Sequence, residues 1–246
     1  MRLKITPTII LIFLSVFSAN AQFKKGMRMV GASVANIYIN SGETDYSDPS
    51  ISGPYTSNNK NFGIGFTPNF GWFISDNTVV GGLVGLNYRH QKIFDVSNGT
   101  TFRRNTSNFF DWGIGGFARN YFKSSGNWLP FGQFSTNFGL GNSDHEGFSF
   151  SGNDKSTFEG KSSGDFFANA GLSAGLTKML NANTGLDIFI SYNYSYSKST
   201  YKTTTKTDLG NDGSIDQTAI SEPTSKLTNH GFAAGIGFQI FLNKKN

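Results

Sequence analysis

The sequence predicts an all-β chain that closes into an eight-stranded, antiparallel, up-and-down barrel. Three observations predict it: apolar and polar residues alternate along several segments, short and long connections alternate between them, and bulky and small side chains separate onto opposite faces. The 246 residues include 30 Gly and 25 Phe, and the mean hydropathy is −0.29. Gly inside a helix costs about 1 kcal/mol relative to Ala. Disordered chains have few aromatics, and helical membrane proteins need long apolar runs. The composition therefore excludes a helical soluble protein, a disordered chain and a helical membrane protein.

Two segments show the alternation most clearly. From Leu186 to Tyr196, aliphatic residues and then tyrosines occupy every second position, with mostly polar residues between them. From Phe62 to Ile74, bulky apolar residues again occupy every second position, and Gly, Thr and Asn fill the others. This period of two is typical of a strand with one apolar face. A run of about 9–11 such residues suffices for a tilted transmembrane strand.

The remaining strands follow from weaker alternation and from the turn residues between segments. With the two above, at 61–74 and 185–197, the sequence predicts strands near 26–39, 78–91, 107–122, 128–141, 165–179 and 228–242. Short turns are expected at 75–77, 123–127 and 181–183, and long polar loops near 40–60, 92–106, 142–164 and 198–227. Strict alternation of this kind is typical of transmembrane barrels, which have short periplasmic turns and long extracellular loops.

The energetics of a bilayer favour the same architecture. In hydrocarbon every backbone N–H and C=O must be paired, and a closed barrel pairs them without leaving an edge. The bulky apolar face then points to lipid, and the small face fills a narrow lumen. Aromatic rings near the strand ends are expected at the membrane interface, namely Trp72, Tyr88, Tyr121, Trp128, Tyr192 and Tyr196. A soluble β protein with an aromatic core is the alternative.

The chain resembles the small outer-membrane β-barrel domain family of the OmpA/OmpX type, without a periplasmic domain. The resemblance rests on the strand and loop pattern from Gln22 onward. In addition, Gly235–Phe241 is similar to the C-terminal strand signal of that family, although the chain continues from Leu242 to Asn246. The resemblance implies an outer-membrane location, recognition by the barrel-insertion machinery, and contact with outer-membrane lipid and lipopolysaccharide. Extracellular surface ligands are further expected partners, and nucleic acid is not.

The N-terminus has the pattern of a secretory signal peptide. Arg2 and Lys4 precede the apolar run Ile9–Phe17, and Ala19–Ala21 forms an A-x-A cleavage site. We therefore expect residues 1–21 to be cleaved and residues 22–246 to form a single barrel domain. Cleavage would lower the formal net charge from +5 to +3, which does not suggest a nucleic-acid-binding surface.

Four charged residues are predicted to form a network in the lumen. Asp111 and Arg119 share a strand face but lie ~26 Å apart at about 3.3 Å per residue, so they cannot pair with each other. Arg89 is instead expected to meet Asp111 near the outer end, and Asp187 to meet Arg119 across the lumen. Charges in a narrow lumen are costly unless they are paired. The sequence thus predicts a lumen filled by side chains.

Two further patterns bear on chemistry. The histidines His90, His145 and His230 lack the sequence arrangement of the lipid-modifying outer-membrane enzymes, so no catalytic residues, cofactor or metal are predicted, and a lipid-modifying enzyme stays a lesser alternative. Asp208, Asp212 and Asp216 fall at positions one, five and nine of a calcium loop, but two other ligand positions hold Gly210 and Ala219. A tight turn at Asp212–Gly213 and a weak calcium site both remain open.

The expected function follows from the architecture. The leading hypothesis is an integral outer-membrane barrel with a filled lumen and a structural or surface-interaction role through its extracellular loops. The alternative is a small outer-membrane channel or transporter for small or apolar solutes.

Overall fold

The computed structural model describes residues 23–47, 54–122, 124 and 126–243, so the predicted signal peptide lies outside the described residues. Ten strands make up nearly all of it. They are β1 (Arg28–Tyr46), β2 (Tyr55–Phe73), β3 (Thr78–Ser97), β4 (Thr100–Tyr121), β5 (Trp128–Ser151), β6 (Asp154–Asn181), β7 (Thr184–Thr200), β8 (Lys202–Asp208), β9 (Gln217–Ser221) and β10 (Thr224–Leu242). Among the described residues, no helix has the length and apolarity needed to cross a membrane.

Eight of these strands close a ring by antiparallel pairing. Each strand from β1 to β7 pairs with its sequence neighbour, β7 pairs with β10, and β10 pairs back with β1. β8 and β9 lie outside the ring. β8 pairs with the first part of β6, and β9 pairs with β8. The sequence predicts eight strands; the structure has ten, and the eight in the ring correspond to the eight predicted segments.

The two faces of the ring differ as the alternation indicates. Exposed apolar residues lie on the outer face and form a continuous apolar belt, which includes Val30, Phe66, Trp72, Val84, Ile114, Phe138, Leu172, Ile188, Ile236 and Phe238. The inner face carries many small residues because neighbouring strands approach closely. At Gly81, for example, an added Cβ would lie 2.1 Å from the carbonyl oxygen of Phe70. Buried apolar residues therefore concentrate inside the ring, with an apolar surface outside it.

The two ends of the barrel have different heights. At the short-turn end, β2 and β3, β4 and β5, and β6 and β7 are joined by the connections 74–77, 122–127 and 182–183. At the opposite, tall end, the strands continue far beyond the belt, so that β5 has 24 residues and β6 has 28. A transmembrane strand needs only about 9–11.

The prediction of long loops is therefore wrong for most of the residues concerned. β3 and β4 extend through 92–106 and meet at a turn in which Asn98 and Gly99 have φ values of 49° and 76°. β5 and β6 cover nearly all of 142–164, and β7 to β10 cover most of 198–227. Most residues of these hairpins are polar, and their few apolar residues do not form the long alternation that identifies a half-buried strand. Part of 40–60 is also strand, although residues 48–53 lie outside the described residues.

Candidate functional site

The lumen is sealed at the short-turn end by a cluster of aromatic rings. Phe23 lies at the centre of this seal, with its ring centroid 4.5 Å from Phe241, 4.7 Å from Phe73 and 4.8 Å from Tyr121. Met29 fills the same layer, and all five side chains are buried. Close packing of this kind leaves few voids as large as a water molecule. We call these five residues the aromatic seal.

Phe23 reaches the seal because the segment before β1 folds back under the barrel. Gly26 donates its backbone N–H to the carbonyl of Phe73 at 2.8 Å, and Lys25 donates its backbone N–H to Asp76 at 2.9 Å. Gly26 has φ +92°, a conformation that glycine adopts without steric cost. The sequence analysis missed Phe23 because a lone Phe before the first strand carries no periodic signal.

Tyr121 corrects one prediction. It is expected at the membrane interface, yet only 2% of its surface is exposed and its ring belongs to the aromatic seal. Its position in β4 explains this, since Arg119 two residues earlier faces the lumen and alternate residues share a face. Unlike Tyr121, the other predicted interface aromatics are not buried. Trp72, Tyr88, Trp128 and Tyr192 are exposed, and Tyr196 is partly exposed.

A polar cluster lies directly above the aromatic seal. The structure brings Arg119 and Asp187 together, with Nη1 of the guanidinium 2.7 Å from Oδ2 of the carboxylate. Arg119 also donates to Gln133 Oε1 at 2.7 Å and to the Tyr121 hydroxyl at 3.0 Å. The guanidinium carbon lies 4.0 Å from the centroid of the Phe131 ring, a cation–π distance. Arg119 is therefore held by partners on three strands.

Asp187 is equally well held. Thr177 donates its hydroxyl to Oδ1 at 2.6 Å, and Gln239 donates its amide to Oδ2 at 3.1 Å. Asp187, Thr177 and Gln239 are each 0% exposed. A buried charge is tolerated only when it is paired and hydrogen-bonded, and both conditions are met here. Arg119, Asp187, Gln133, Thr177 and Gln239 form what we call the polar lock.

The second predicted pair is not formed. Arg89 and Asp111 are not within ion-pair distance, whereas the described residues do contain the Arg119–Asp187 pair. Arg89 instead places its guanidinium carbon 4.3 Å from the centroid of Phe109. Both residues line the wide part of the lumen. The pairing argument fails because it assumes a narrow, filled lumen along the whole barrel.

Above the polar lock the lumen opens into two adjoining cavities. The lower one, of about 450 Å³, is lined mainly by Ser, Thr, Asn, Gly and Ala side chains. The upper one, of about 910 Å³, includes Arg89, Phe109, Asp111, Asp165 and Phe167 in its lining. Asn87, Asn169 and Ser195 line both cavities. We call the two together the chamber. The predicted filling by side chains thus applies to the short-turn half alone.

The wall of the chamber is open between β1 and β10. These strands pair from Arg28↔Leu242 to Ala35↔Gly235 and no further. Beyond that point β1 continues to pair with β2 as far as Tyr46, and β10 continues to pair with β7 back to Thr224. The facing edges of β1 and β10 therefore separate, while β1 remains paired with β2 and β10 remains paired with β7. We call this gap the lateral slit.

Side-chain exposure identifies the lips of the slit. Phe232 on β10 is 82% exposed and Ile39 on β1 is 81% exposed, whereas Phe238 and Ile240 in the paired part of β10 are only 45% and 38% exposed. A missing neighbour strand accounts for the difference. Ile37, at 58%, lies on the same lip as Ile39 and lines the upper cavity together with Phe232.

The three histidines have different neighbours in the structure. His90 Nδ1 lies 2.7 Å from Asn108 Oδ1, and Asn108 in turn donates to Asp144 at 2.9 Å. His145 Nε2 lies 3.0 Å from the hydroxyl of Thr203, and its partly buried position lowers the pKa of the imidazole. The ring of His230 lies 6.1 Å from that of Tyr192.

The aspartates of the candidate calcium loop bind backbone amides. Asp208 accepts from Asp212 N at 3.0 Å and from Gly213 N at 2.9 Å. Asp216 accepts from Leu209 N at 2.7 Å, and Asp212 accepts from Ser214 N at 2.9 Å. The segment thus closes the hairpin between β8 and β9, as the turn alternative predicts. In the described part of the chain, no three acidic, His or Cys side chains are grouped so that they could hold a metal ion.

The chain is similar to several solved structures at low sequence identity. Neither a family model nor a curated sequence matches the chain. Among solved structures, the outer membrane protein OprG from Pseudomonas aeruginosa aligns with 12% identity and a TM-score of 0.40, over 92% of this chain and 100% of its own.

Two further solved structures align over similar lengths. The outer membrane protease OmpT from Escherichia coli aligns with 10% identity and a TM-score of 0.44, over 93% of this chain and 99% of its own. The outer membrane protein AlkL aligns with 13% identity and a TM-score of 0.44, over 94% and 97%. All three are named as outer-membrane proteins. The barrel itself is established by the pairing of its own eight strands.

Proposed function

We propose that this chain is an integral outer-membrane barrel, closed toward the periplasm, with a structural or surface-interaction role. The single observation that carries the proposal is the combined closure of the lumen by the aromatic seal and the polar lock. A barrel closed in this way separates the two sides of a membrane and leaves the tall end for contact with other molecules. The apolar belt supplies the lipid-facing surface that such a barrel needs.

The orientation follows from the heights of the two ends. Bacterial barrels place short turns on the periplasmic side and longer connections outside the cell. The aromatic seal then faces the periplasm, and the polar hairpins of the tall end face outward. Tyr46 stacks on Tyr55 with centroids 4.7 Å apart, and Phe102 packs edge-on against Tyr55 at 5.4 Å. Half-exposed aromatics among polar side chains are suited to contact with an extracellular ligand.

A basic site above the belt supports contact with lipopolysaccharide. Lys60 and Lys92 are direct partners across β2 and β3, and each ammonium nitrogen lies 5.7 Å from the centroid of Phe94. Like charges directly opposite each other destabilise a sheet, and a phosphate group bound between them removes the repulsion. Replacing both lysines with Ser should reduce the lipopolysaccharide that copurifies with the barrel. Lys155→Ser on β6, in a different hairpin of the tall end, is the control, and an equal loss in both would contradict the assignment.

The alternative of an axial channel requires movement of the seal. A solute that travels along the barrel axis has to displace Phe23 and then separate Arg119 from Asp187. In the described residues those groups are buried and fully engaged. We therefore expect no steady pore in the resting state.

Conductance and fractionation test the proposal together. The native chain should fractionate with the outer membrane, should migrate differently on a gel before and after boiling, and should give no steady conductance in a planar bilayer. Release of the protein without detergent would contradict the membrane assignment. A steady open conductance with an intact folded band would contradict the closed lumen while leaving the barrel unaffected.

A further inference from the structure

We propose that the chamber is a binding site for a single apolar chain, such as a fatty acyl tail, which enters from the outer leaflet through the lateral slit. The inference rests on the proposed membrane location, and it adds a ligand site that a surface role does not require. Three observations carry it: the depth of the slit, the chemistry of its lips, and the unfilled space behind it.

The slit reaches into the hydrocarbon. A transmembrane strand needs about 9–11 residues, but β1 and β10 pair over only eight positions before they part. The last few residues of membrane depth on each strand therefore have no partner on that side. Unpaired backbone at membrane depth is tolerated only where it is covered or lines a cavity, and the cavity behind this gap is the chamber.

The lips of the slit are apolar at this depth. Phe232 and Ile39 expose four-fifths of their surfaces, and Ile37 and Ala234 lie beside them at the edge of the upper cavity. Lipid tails surround such side chains on the outside of a barrel. An acyl chain that enters through the lateral slit keeps contact with these apolar side chains along its path. It also covers apolar surface inside the slit that would otherwise face water.

The chamber has room for such a chain. Its upper part, of about 910 Å³, lies within the range of about 300–1,000 Å³ that is typical of small-molecule sites. A Cβ added at Gly231, which faces the chamber behind the slit, would meet no atom within 4 Å. Phe109 on β4, Phe167 on β6 and Phe189 on β7 contribute apolar surface to a lining that is otherwise largely polar. Charges of both signs, Arg89, Asp111 and Asp165, lie near the top, where a polar headgroup would sit.

The edges above the membrane argue against a β-strand as the occupant. Glu43 and Asp45 lie on the free part of β1, and Lys226 lies on the free part of β10. Charged side chains on an exposed edge oppose the addition of another strand. An apolar chain is confined to the uncharged lower part of the slit and meets no such obstacle.

Binding of tritiated oleate to the full-length barrel in lipid nanodiscs tests the site. The native protein should retain a saturable amount of oleate above empty nanodiscs. Gly231→Trp places an indole in the lower cavity of the chamber, and we expect it to weaken binding by about tenfold or more, which corresponds to about 1.4 kcal/mol. Gly82→Trp is the matched control, because Gly82 is a strand glycine on the lipid-facing side with its nearest atom at 3.7 Å. Retention no greater than that of empty nanodiscs, or an equal effect of both variants, would overturn the site.

Chemical bridging of the slit tests the route. The chain contains no cysteine, so Ile37→Cys with Ala234→Cys can be joined across the slit by a short bis-maleimide. We expect the bridge to slow oleate loading by about tenfold, whereas Val30→Cys with Ile240→Cys, joined within the paired part of the same two strands, should load at the native rate. Unchanged loading through a bridged slit would mean entry from the open top and would overturn the lateral route.

The outcomes separate this inference from the proposed function. Each variant is first checked for a heat-modifiable band and for membrane fractionation. Loss of both in the native chain contradicts the outer-membrane barrel itself. A folded, membrane-bound and non-conducting barrel that retains no oleate contradicts the inference alone.

Discussion

Removal of the negative charge from the polar lock should destabilise the barrel more than any other single charge change in the lumen. Asp187→Asn keeps the size of the side chain and one oxygen for Thr177, but it leaves the Arg119 guanidinium with no counter-charge. The two groups lie 2.7 Å apart, and their side chains are 0% and 5% exposed. Breaking a buried ion pair by removing one partner costs about 3–5 kcal/mol.

The size of the expected effect follows from the surroundings of the pair. Two unit charges about 4 Å apart attract by about 4 kcal/mol at an effective dielectric constant of about 20. The hydrogen bonds of Arg119 to Gln133 and Tyr121 remain in the variant, so the loss should stay within the range of about 3–5 kcal/mol. Replacing both members, as in Arg119→Met with Asp187→Leu, removes the uncompensated charge and should recover most of the stability.

Urea unfolding of the refolded protein in vesicles measures these differences. The fraction of heat-modifiable protein on a gel and tryptophan fluorescence give two independent unfolding curves, whose midpoints and slopes yield the free energy of unfolding. Asp111→Asn is the matched control, because Asp111 lines the open chamber without an ion-pair partner, and it should shift stability by less than about 1 kcal/mol. A shift below about 1 kcal/mol for Asp187→Asn, or a double variant less stable than either single variant, would refute the reasoning.

Three further predictions concern the aromatic seal, His145 at the tall end and the hairpin between β8 and β9. Phe23→Ala removes the central ring of the aromatic seal and should cost about 3–5 kcal/mol in the same urea assay, with transient conductance appearing in planar bilayers. Burial lowers the pKa of the His145 imidazole, so the folded protein should lose stability as the pH falls below the ordinary histidine pKa of about 6.5. NMR titration of this imidazole in the native protein measures its pKa. His145→Gln should abolish the pH dependence of stability. Asp208→Ala removes the two carboxylate oxygens that accept the backbone N–H groups of Asp212 and Gly213, and it should speed hydrogen exchange at those two amides by about tenfold, at about 1.4 kcal/mol per factor of ten.

Each of these has an outcome that contradicts it. A silent bilayer record and an unchanged urea midpoint for Phe23→Ala would mean that the other rings close the barrel without it. An imidazole that titrates at or above the ordinary pKa would remove the basis for the pH effect. Unchanged exchange in Asp208→Ala would show that the carboxylate does not hold the hairpin, and loss of the heat-modifiable band would show that the hairpin supports the barrel as well.

The membrane-spanning part of the fold is predictable because its physics is simple. Lipid on one side of a strand favours apolar side chains, and a narrow lumen on the other side favours small or polar ones. Alternate residues therefore differ in polarity, as the pattern from Leu186 to Tyr196 shows. The tall end has water on both sides, so no alternation distinguishes a strand from a loop. Lys202–Asp208 illustrates the difficulty: four of its seven residues are Thr, which favours strands through β-branching, yet the segment has no apolar face.

The site was partly predictable for a related reason. Arg119 and Asp187 are found because a charge on the lumen face of a narrow barrel needs a partner, and the pairing rule holds where the lumen is narrow. Arg89 and Asp111 lie where the lumen widens, and Arg89 takes an aromatic ring as its neighbour. Tyr121 follows from the same alternation that places Arg119 inside, so its burial was available from the register. Phe23 was not, because its contacts are set by the fold-back at Gly26.

The lateral slit has a cause in the backbone of β1. Relative to β2, strand β1 shifts register between Ala35 and Tyr38, so that Asn36 and Ile37 oppose Ile64 alone. An inserted residue of this kind bends the strand and increases its twist. Ala35 is also the last residue of β1 that pairs with β10. The bulge therefore turns β1 away from β10 at the same height at which the lumen stops being filled, and one irregularity accounts for both the open wall and the access to the space behind it.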